Sequence, residues 1–232
     1  MRRPARHAHA LARLLLFCAL LALTQPQASP EPPFTVEETA RVLALGPWPP
    51  ALSPDPSNRV SGNAQAIVLG RRLFFDARMS AVGYIACVTC HQTDRAWTDN
   101  KARAHGMADV PRNTPTLANL RLQRWYGWAG GADSLWMQSI LPILDPREID
   151  SSPALVKRVF KRDPELACLY ERVFHVKPEG ADDVVLANVG KALAAFQETL
   201  LTGRTPFDAF RDALARHQAH ASPYPVAAQR GL

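Results

Sequence analysis

The 232-residue chain, with 47% hydrophobic and 21% charged side chains, has the make-up of an ordinary globular protein of one or two domains and can bury a real core. Its formal charge of +6 rests on 27 basic and 21 acidic residues. Four of the arginines (Arg2, Arg3, Arg6 and Arg13) and none of the acids lie in the first 28 residues, so the remainder is close to neutral and its charge gives no support to nucleic-acid binding.

Those arginines precede or enter an apolar run, Leu11 to Leu23, which is followed by a polar, small-residue stretch from Thr24 to Ser29. That order reads as a secretory signal peptide over residues 1–28, cleaved after Ala28, which places the mature chain in the periplasm. A retained membrane anchor is the alternative, but the run is shorter than the ~20 residues a spanning helix needs. Cys18 follows Phe17, where a lipidated cysteine would want a small residue. Beyond the signal three cysteines remain, Cys87, Cys90 and Cys168, and an odd number makes a poor disulfide framework. Cys168 reads as a small apolar filler on a helix.

Residues 29–60 are proline-rich around one amphipathic stretch, Val36 to Leu45, and read as an N-terminal arm on the surface of the main domain. From Asn63 to Phe75 the apolar spacing predicts a helix capped by Asn63 or Ser61. This helix leads to Cys87-Val-Thr-Cys90-His91. Two thiols three positions apart can each form a thioether to a haem vinyl group while the adjacent imidazole reaches the iron. A thioredoxin-like redox pair would want a βαβ setting, and half of a zinc site would want a second ligand pair; the sequence offers neither. Haem c attachment at Cys87, Cys90 and His91 is therefore expected, at one site.

Residues 92–132 carry many turn formers and no long periodic run, so a long, functional loop is expected. It holds His105, in a flexible Ala-His-Gly-Met segment, as one candidate for the second axial position; Met107, Met137, His175, His217 and His220 are the others. Trp97, Trp125, Trp128 and Trp136 cluster in this part of the chain, three of them read as packing. Four helical patterns follow: Ser134 to Ile143, Ser152 to Phe160, Pro164 to Phe174, and Asp182 to Leu201. The last carries Val185, Val189, Leu193, Phe196 and Leu200 on one stripe and stops at Gly203. The fold is expected to be mainly α, a haem-containing domain at 61–212 with 213–232 as a tail or the start of another domain. Ala227-Ala-Gln-Arg-Gly-Leu faintly echoes Gln65-Ala-Ile-Val-Leu-Gly-Arg-Arg-Leu, as if a second copy were beginning.

Taken together, Leu69-Gly-Arg-Arg-Leu-Phe-Phe-Asp, the Cys-x-x-Cys-His motif, Arg95-Ala-Trp-Thr-Asp, Pro111-Arg-Asn-Thr-Pro-Thr-Leu, Gly127-Trp-Ala-Gly-Gly-Ala-Asp-Ser-Leu and Leu141-Pro-Ile-Leu-Asp-Pro-Arg-Glu resemble the N-terminal haem domain of the bacterial di-haem cytochrome c peroxidase and MauG family. Arg124-Trp-Tyr-Gly-Trp and Ser134-Leu-Trp are most similar to the MauG-like enzymes of methanobactin operons, which oxidise tryptophan in a partner protein. The resemblance implies a cytochrome c-like haem domain and an oxidoreductase that reacts with hydrogen peroxide. Its implied partner is a redox protein or a protein substrate, with a homodimer left open. It implies Glu148 and Gln138 as distal catalytic groups, Pro142 as the adjacent pocket wall and Trp128 as the inter-haem tryptophan. His105 falls at a haem-iron ligand of the resting state, and Asn113 at a ligand of a calcium ion. Two departures stand out. Ala129-Gly-Gly replaces the usual Asp-Gly-Arg, and the sequence ends where the family's second haem domain begins, so the chain reads as truncated. The competing reading is a mono-haem electron-transfer protein.

Overall fold

A computed structural model describes residues 34–219 and 222–232; the expected signal segment 1–28 and the candidate ligand His220 lie outside the described residues. Among those described, the regular structure is helical: α1 (Val36–Ala44), α2 (Ala64–Phe74), α3 (Cys87–Cys90), α4 (Leu135–Leu144), α5 (Pro153–Arg162), α6 (Pro164–Phe174), α7 (Asp182–Gln197), α8 (Pro206–Ala215) and α9 (Val226–Gln229). Extended pairing is limited to three isolated bridges, all within the expected loop or at its ends. No described helix is long and apolar enough to cross a membrane.

The helix starts follow local chemistry. The Asn63 side chain accepts from the N–H groups of Gln65 and Ala66, Ser152 caps α5, and Asp163 caps α6, with Pro153 and Pro164 each opening its helix. Helix α7 ends at Gln197 rather than at Leu201. Beyond it the chain turns tightly, and the Leu200 carbonyl accepts from the Asn119 N–H of the long loop instead of continuing the helix. The single apolar stripe expected for α7 also understates it: Leu186, Asn188, Gly190, Ala192, Ala194 and Ala195 are buried as well, so most of its circumference faces protein.

The described residues divide into two compact units, residues 51–203 and residues 34–50 with 204–219 and 222–232. In the larger unit α7 packs against α2, α4 and α5. Close approach to α7 depends on Gly70: a Cβ there would lie 1.9 Å from the Ala192 carbonyl oxygen, which is main chain and cannot swing aside. Gly70→Ala is therefore expected to lower the unfolding free energy by about 2 kcal/mol, overpacking outweighing the ~1 kcal/mol gained in helix propensity. Urea denaturation checks this; a more stable variant would mean that the two helices can separate freely. In the smaller unit α1, closed by a Thr35–Glu38 capping box, packs on α8, and the stretch read as a surface arm instead shares a small core. Val42, Phe210 and Leu214 form it, with Tyr224 stacked on Phe210. Helix α8 was not among the predicted patterns, although Thr205-Pro206 and the apolar spacing of Phe207, Phe210 and Leu214 mark it. Cys168 is exposed on α6 and fills no core, because its neighbours Leu166, Leu169 and Tyr170 take the inward positions.

Candidate active site

Helix α3 is a single turn, which sets Cys87 and Cys90 one above the other and leaves His91 as its C-terminal residue, the His91 N–H donating to the Cys87 carbonyl at 3.0 Å. Burial pushes the Cys87 thiol up to about 12 and raises Cys90 as well, so both are protonated near neutrality. The His91 Nδ1–H donates to the Trp97 carbonyl at 3.0 Å. A carbonyl can only accept, so in that bond Nδ1 carries the proton; the Pro115 carbonyl is a second main-chain partner of the ring. Burial lowers the imidazole pKa and keeps the ring neutral. The carbonyl reaches His91 because Ala96 and Trp97 both take left-handed backbone, at φ 52° and 63°, an unusual conformation for tryptophan held by packing of the indole edge-on to Phe74 and Phe196.

These three side chains open into a cavity of about 510 Å³, within the size range of cofactor sites. Phe74, Ile85, Leu117 and Leu193 supply apolar wall. Helix α4 contributes Gln138 and, one turn on, Pro142; Glu148 enters from the turn after α4, and Trp128 and Asn113 come from the long loop. Gly127, at φ +76°, allows that loop to close on α4: a Cβ there would come within 3.0 Å of Gln138 Oε1. Glu148 is half-buried, and desolvation first, then the Asp145 carboxylate, raises its pKa against the opposing pull of Arg147. Arg147 is itself bonded to Asp145, which weakens that pull.

Two polar residues of this wall, the buried Gln197 and the half-buried Ser139, escaped the sequence reading. Gln197, 7% exposed, donates from Nε2 to Ser139 Oγ at 2.8 Å, and both line the cavity. The signal was Leu193, one turn before Gln197 on the same stripe. His105 behaves otherwise. Its ring is 57% exposed and bonds Asp109 through Nδ1 at 2.6 Å, and only its carbonyl meets Cys90 Sγ, at 3.7 Å. Met107, Met137 and His175 also stay out of the cavity lining. Asn113 is exposed, its carbonyl accepting from Trp128 Nε1 at 2.9 Å, and among the described residues no group of three or more His, Cys, Asp or Glu side chains is placed to hold a metal ion. Two of the four tryptophans pack, Trp97 on the core and Trp136 beneath Lys191; Trp125 is exposed, like Trp128, because both sit on the open loop.

The family model for the di-haem cytochrome c peroxidases matches residues 64–216, a stretch that contains every element of this cavity. The chain belongs to that family. It is 40% identical over 147 residues to the methylamine utilization protein MauG of Methylorubrum extorquens, covering 62% of this chain and 40% of that protein. Cytochrome c551 peroxidase of Nitrosomonas europaea is 34% identical over 148 residues, covering 63% of this chain and 43% of that one. The chain thus spans about two fifths of the length of these di-haem relatives. Among solved structures, a MauG-like protein associated with microbial copper homeostasis aligns with a TM-score of 0.57 at 25% identity, over 82% of this chain and 49% of that one. The fold is thereby that of the family, mainly α and cytochrome c-like, and family membership implies haem c as the cofactor. The residues fit it. A neutral imidazole and two adjacent protonated thiols open into one largely apolar cavity.

Proposed function

We propose that this chain is the haem-bearing part of an exported oxidoreductase that reacts with hydrogen peroxide in the periplasm, with haem c bound through Cys87 and Cys90 and ligated by His91. The observation that carries the reading is the convergence of the Cys87–Cys90–His91 turn with Gln138 and Glu148 on one cavity. Haem c, when bound, supplies the iron that takes up the oxidising equivalents of peroxide. The protein's part is to bind, orient and move a proton. The Gln138 amide hydrogen-bonds peroxide from α4, and the Glu148 carboxylate takes a proton from one peroxide oxygen and returns it to the other, so that water rather than hydroxide leaves. Trp128, 59% exposed yet lining the cavity, offers an oxidisable ring at the mouth of the site through which electrons from a redox protein or a protein substrate would enter.

The alternative, a mono-haem electron carrier, would want a second strong axial ligand, and the cavity lining holds no His or Met besides His91. His105 would serve as a conditional ligand only by leaving Asp109. If it does so in the ferric protein, His105→Ala will shift the absorption spectrum from low spin to high spin; an unchanged spectrum assigns His105 to the surface. The function itself is tested by mixing the haem-loaded chain with hydrogen peroxide in a stopped-flow spectrometer. A saturable, peroxide-dependent change in the haem spectrum is expected. A spectrum indifferent to peroxide, together with reversible one-electron cycling, would favour the carrier.

A further inference from the structure

A second cavity, of about 320 Å³, lies between the Ser80–Gly83 turn and α5. Its lining includes Leu155 and the buried Val159 together with three arginines, Arg78, Arg158 and Arg162. Helical spacing puts Arg158 and Arg162 one turn apart on α5, where like charges repel. Arg162 is in the last turn, where the helix dipole favours a cation, but Arg158 is not, so the dipole accounts for only one of the pair. The carboxylates nearby are already engaged: Asp76, Asp163 and Glu165 pair with Arg72 and Arg78. Arg158 and Arg162 have no acidic partner and no side-chain hydrogen bond among the described residues. Arg78 spends Nε and Nη2 on Asp76 and Asp163, which leaves Nη1 unused. The main-chain N–H groups of Ala81 and Val82, also in the lining, donate to nothing described.

We propose that this cavity binds a small, multiply charged oxyanion of the phosphate or polycarboxylate class, with Arg158 and Arg162 as its principal ligands and Arg78 Nη1 as a third. Forked guanidinium donors suit planar or tetrahedral oxyanions, and an anion between Arg158 and Arg162 removes their mutual repulsion. The site is separate from the larger cavity, although Gly83 lines one and Ile85 the other. The proposal does not depend on the peroxide reading.

The test is isothermal titration of the purified, haem-loaded chain with inorganic phosphate and with citrate, at constant ionic strength set by chloride. One saturable site is expected for at least one of the two, and the comparison identifies which class it prefers. Arg158→Ala with Arg162→Ala should weaken binding tenfold or more while circular dichroism stays unchanged. Arg158→Lys with Arg162→Lys, which keeps the charge and is the safer fold, should weaken it less but measurably. Non-saturating heats, or an affinity unchanged in both double variants, overturns the site. Binding of a glutamate-rich peptide where neither small anion binds would overturn it too, in favour of a protein-docking surface.

Discussion

Replacing both Cys87 and Cys90 by alanine is expected to abolish covalent haem, from one haem per exported chain to none, by pyridine haemochrome assay and by intact mass. The argument starts from the thiols themselves. A redox-active Cys-x-x-Cys pair works through thiolates and is built where neighbouring charges lower the thiol pKa. Here burial raises both, Cys87 to about 12, and the carboxylate of Glu148 adds to the effect. Such thiols are poor attacking nucleophiles near neutrality, whereas as thioethers they carry no charge and suit an apolar wall. Each single variant should keep one thioether and therefore a covalently bound but less firmly fixed haem, and Cys168→Ala, on the exposed face of α6, should change nothing. His91→Ala should leave the thioethers possible while removing the imidazole ligand, so covalent content and spectrum would part company. Retention of a zinc ion and no haem in the unmutated, exported protein would sink this assignment.

Much of this site was legible because its chemistry is local. The Cys-x-x-Cys-His turn needs only one helical turn; Gln138 and Pro142 were singled out by the family resemblance, and α4 carries them one turn apart. Three helix starts were legible for the same reason: Asn63, Ser152 and Asp163 cap within three residues. What the sequence hid is what depends on contacts across the fold. Glu148, read from its own neighbourhood, is a solvated acid after Pro146; in the fold it is half-buried, and the loop around Gly106 packs on its main chain, where a Cβ on Gly106 would lie 2.6 Å from the Glu148 carbonyl oxygen. Gln197 sits on a helix that reads as apolar, and its polarity acquires a purpose only once Ser139 of α4 faces it at 2.8 Å. The early end of α7 likewise depends on Asn119, some eighty residues away in sequence.

Glu148→Gln is expected to slow the reaction of the haem-loaded chain with hydrogen peroxide by about 10²-fold, the size typical of losing one acid–base group, with little effect on folding or haem content. Glutamine keeps the shape and a hydrogen-bonding oxygen but cannot exchange a proton, so the loss isolates proton movement from packing. The pH dependence supplies an independent check. Peroxide must first give up a proton, so the active form of Glu148 is the carboxylate. Burial raises its pKa above that of an ordinary glutamate, mainly because the charged form loses water, and the nearby Asp145 carboxylate adds to this. The rate should therefore fall as the solution is acidified through this raised pKa, beginning at a higher pH than an exposed carboxylate would give. Asp145→Asn shifts the balance in two ways, removing a like charge and releasing the opposing Arg147 from its bonds to Asp145. Both effects stabilise the Glu148 carboxylate, so the acid limb should move to lower pH in that variant and vanish in Glu148→Gln. A Glu148→Gln protein that reacts with peroxide as fast as the unmutated chain, with the same acid limb, would place proton transfer elsewhere in the cavity.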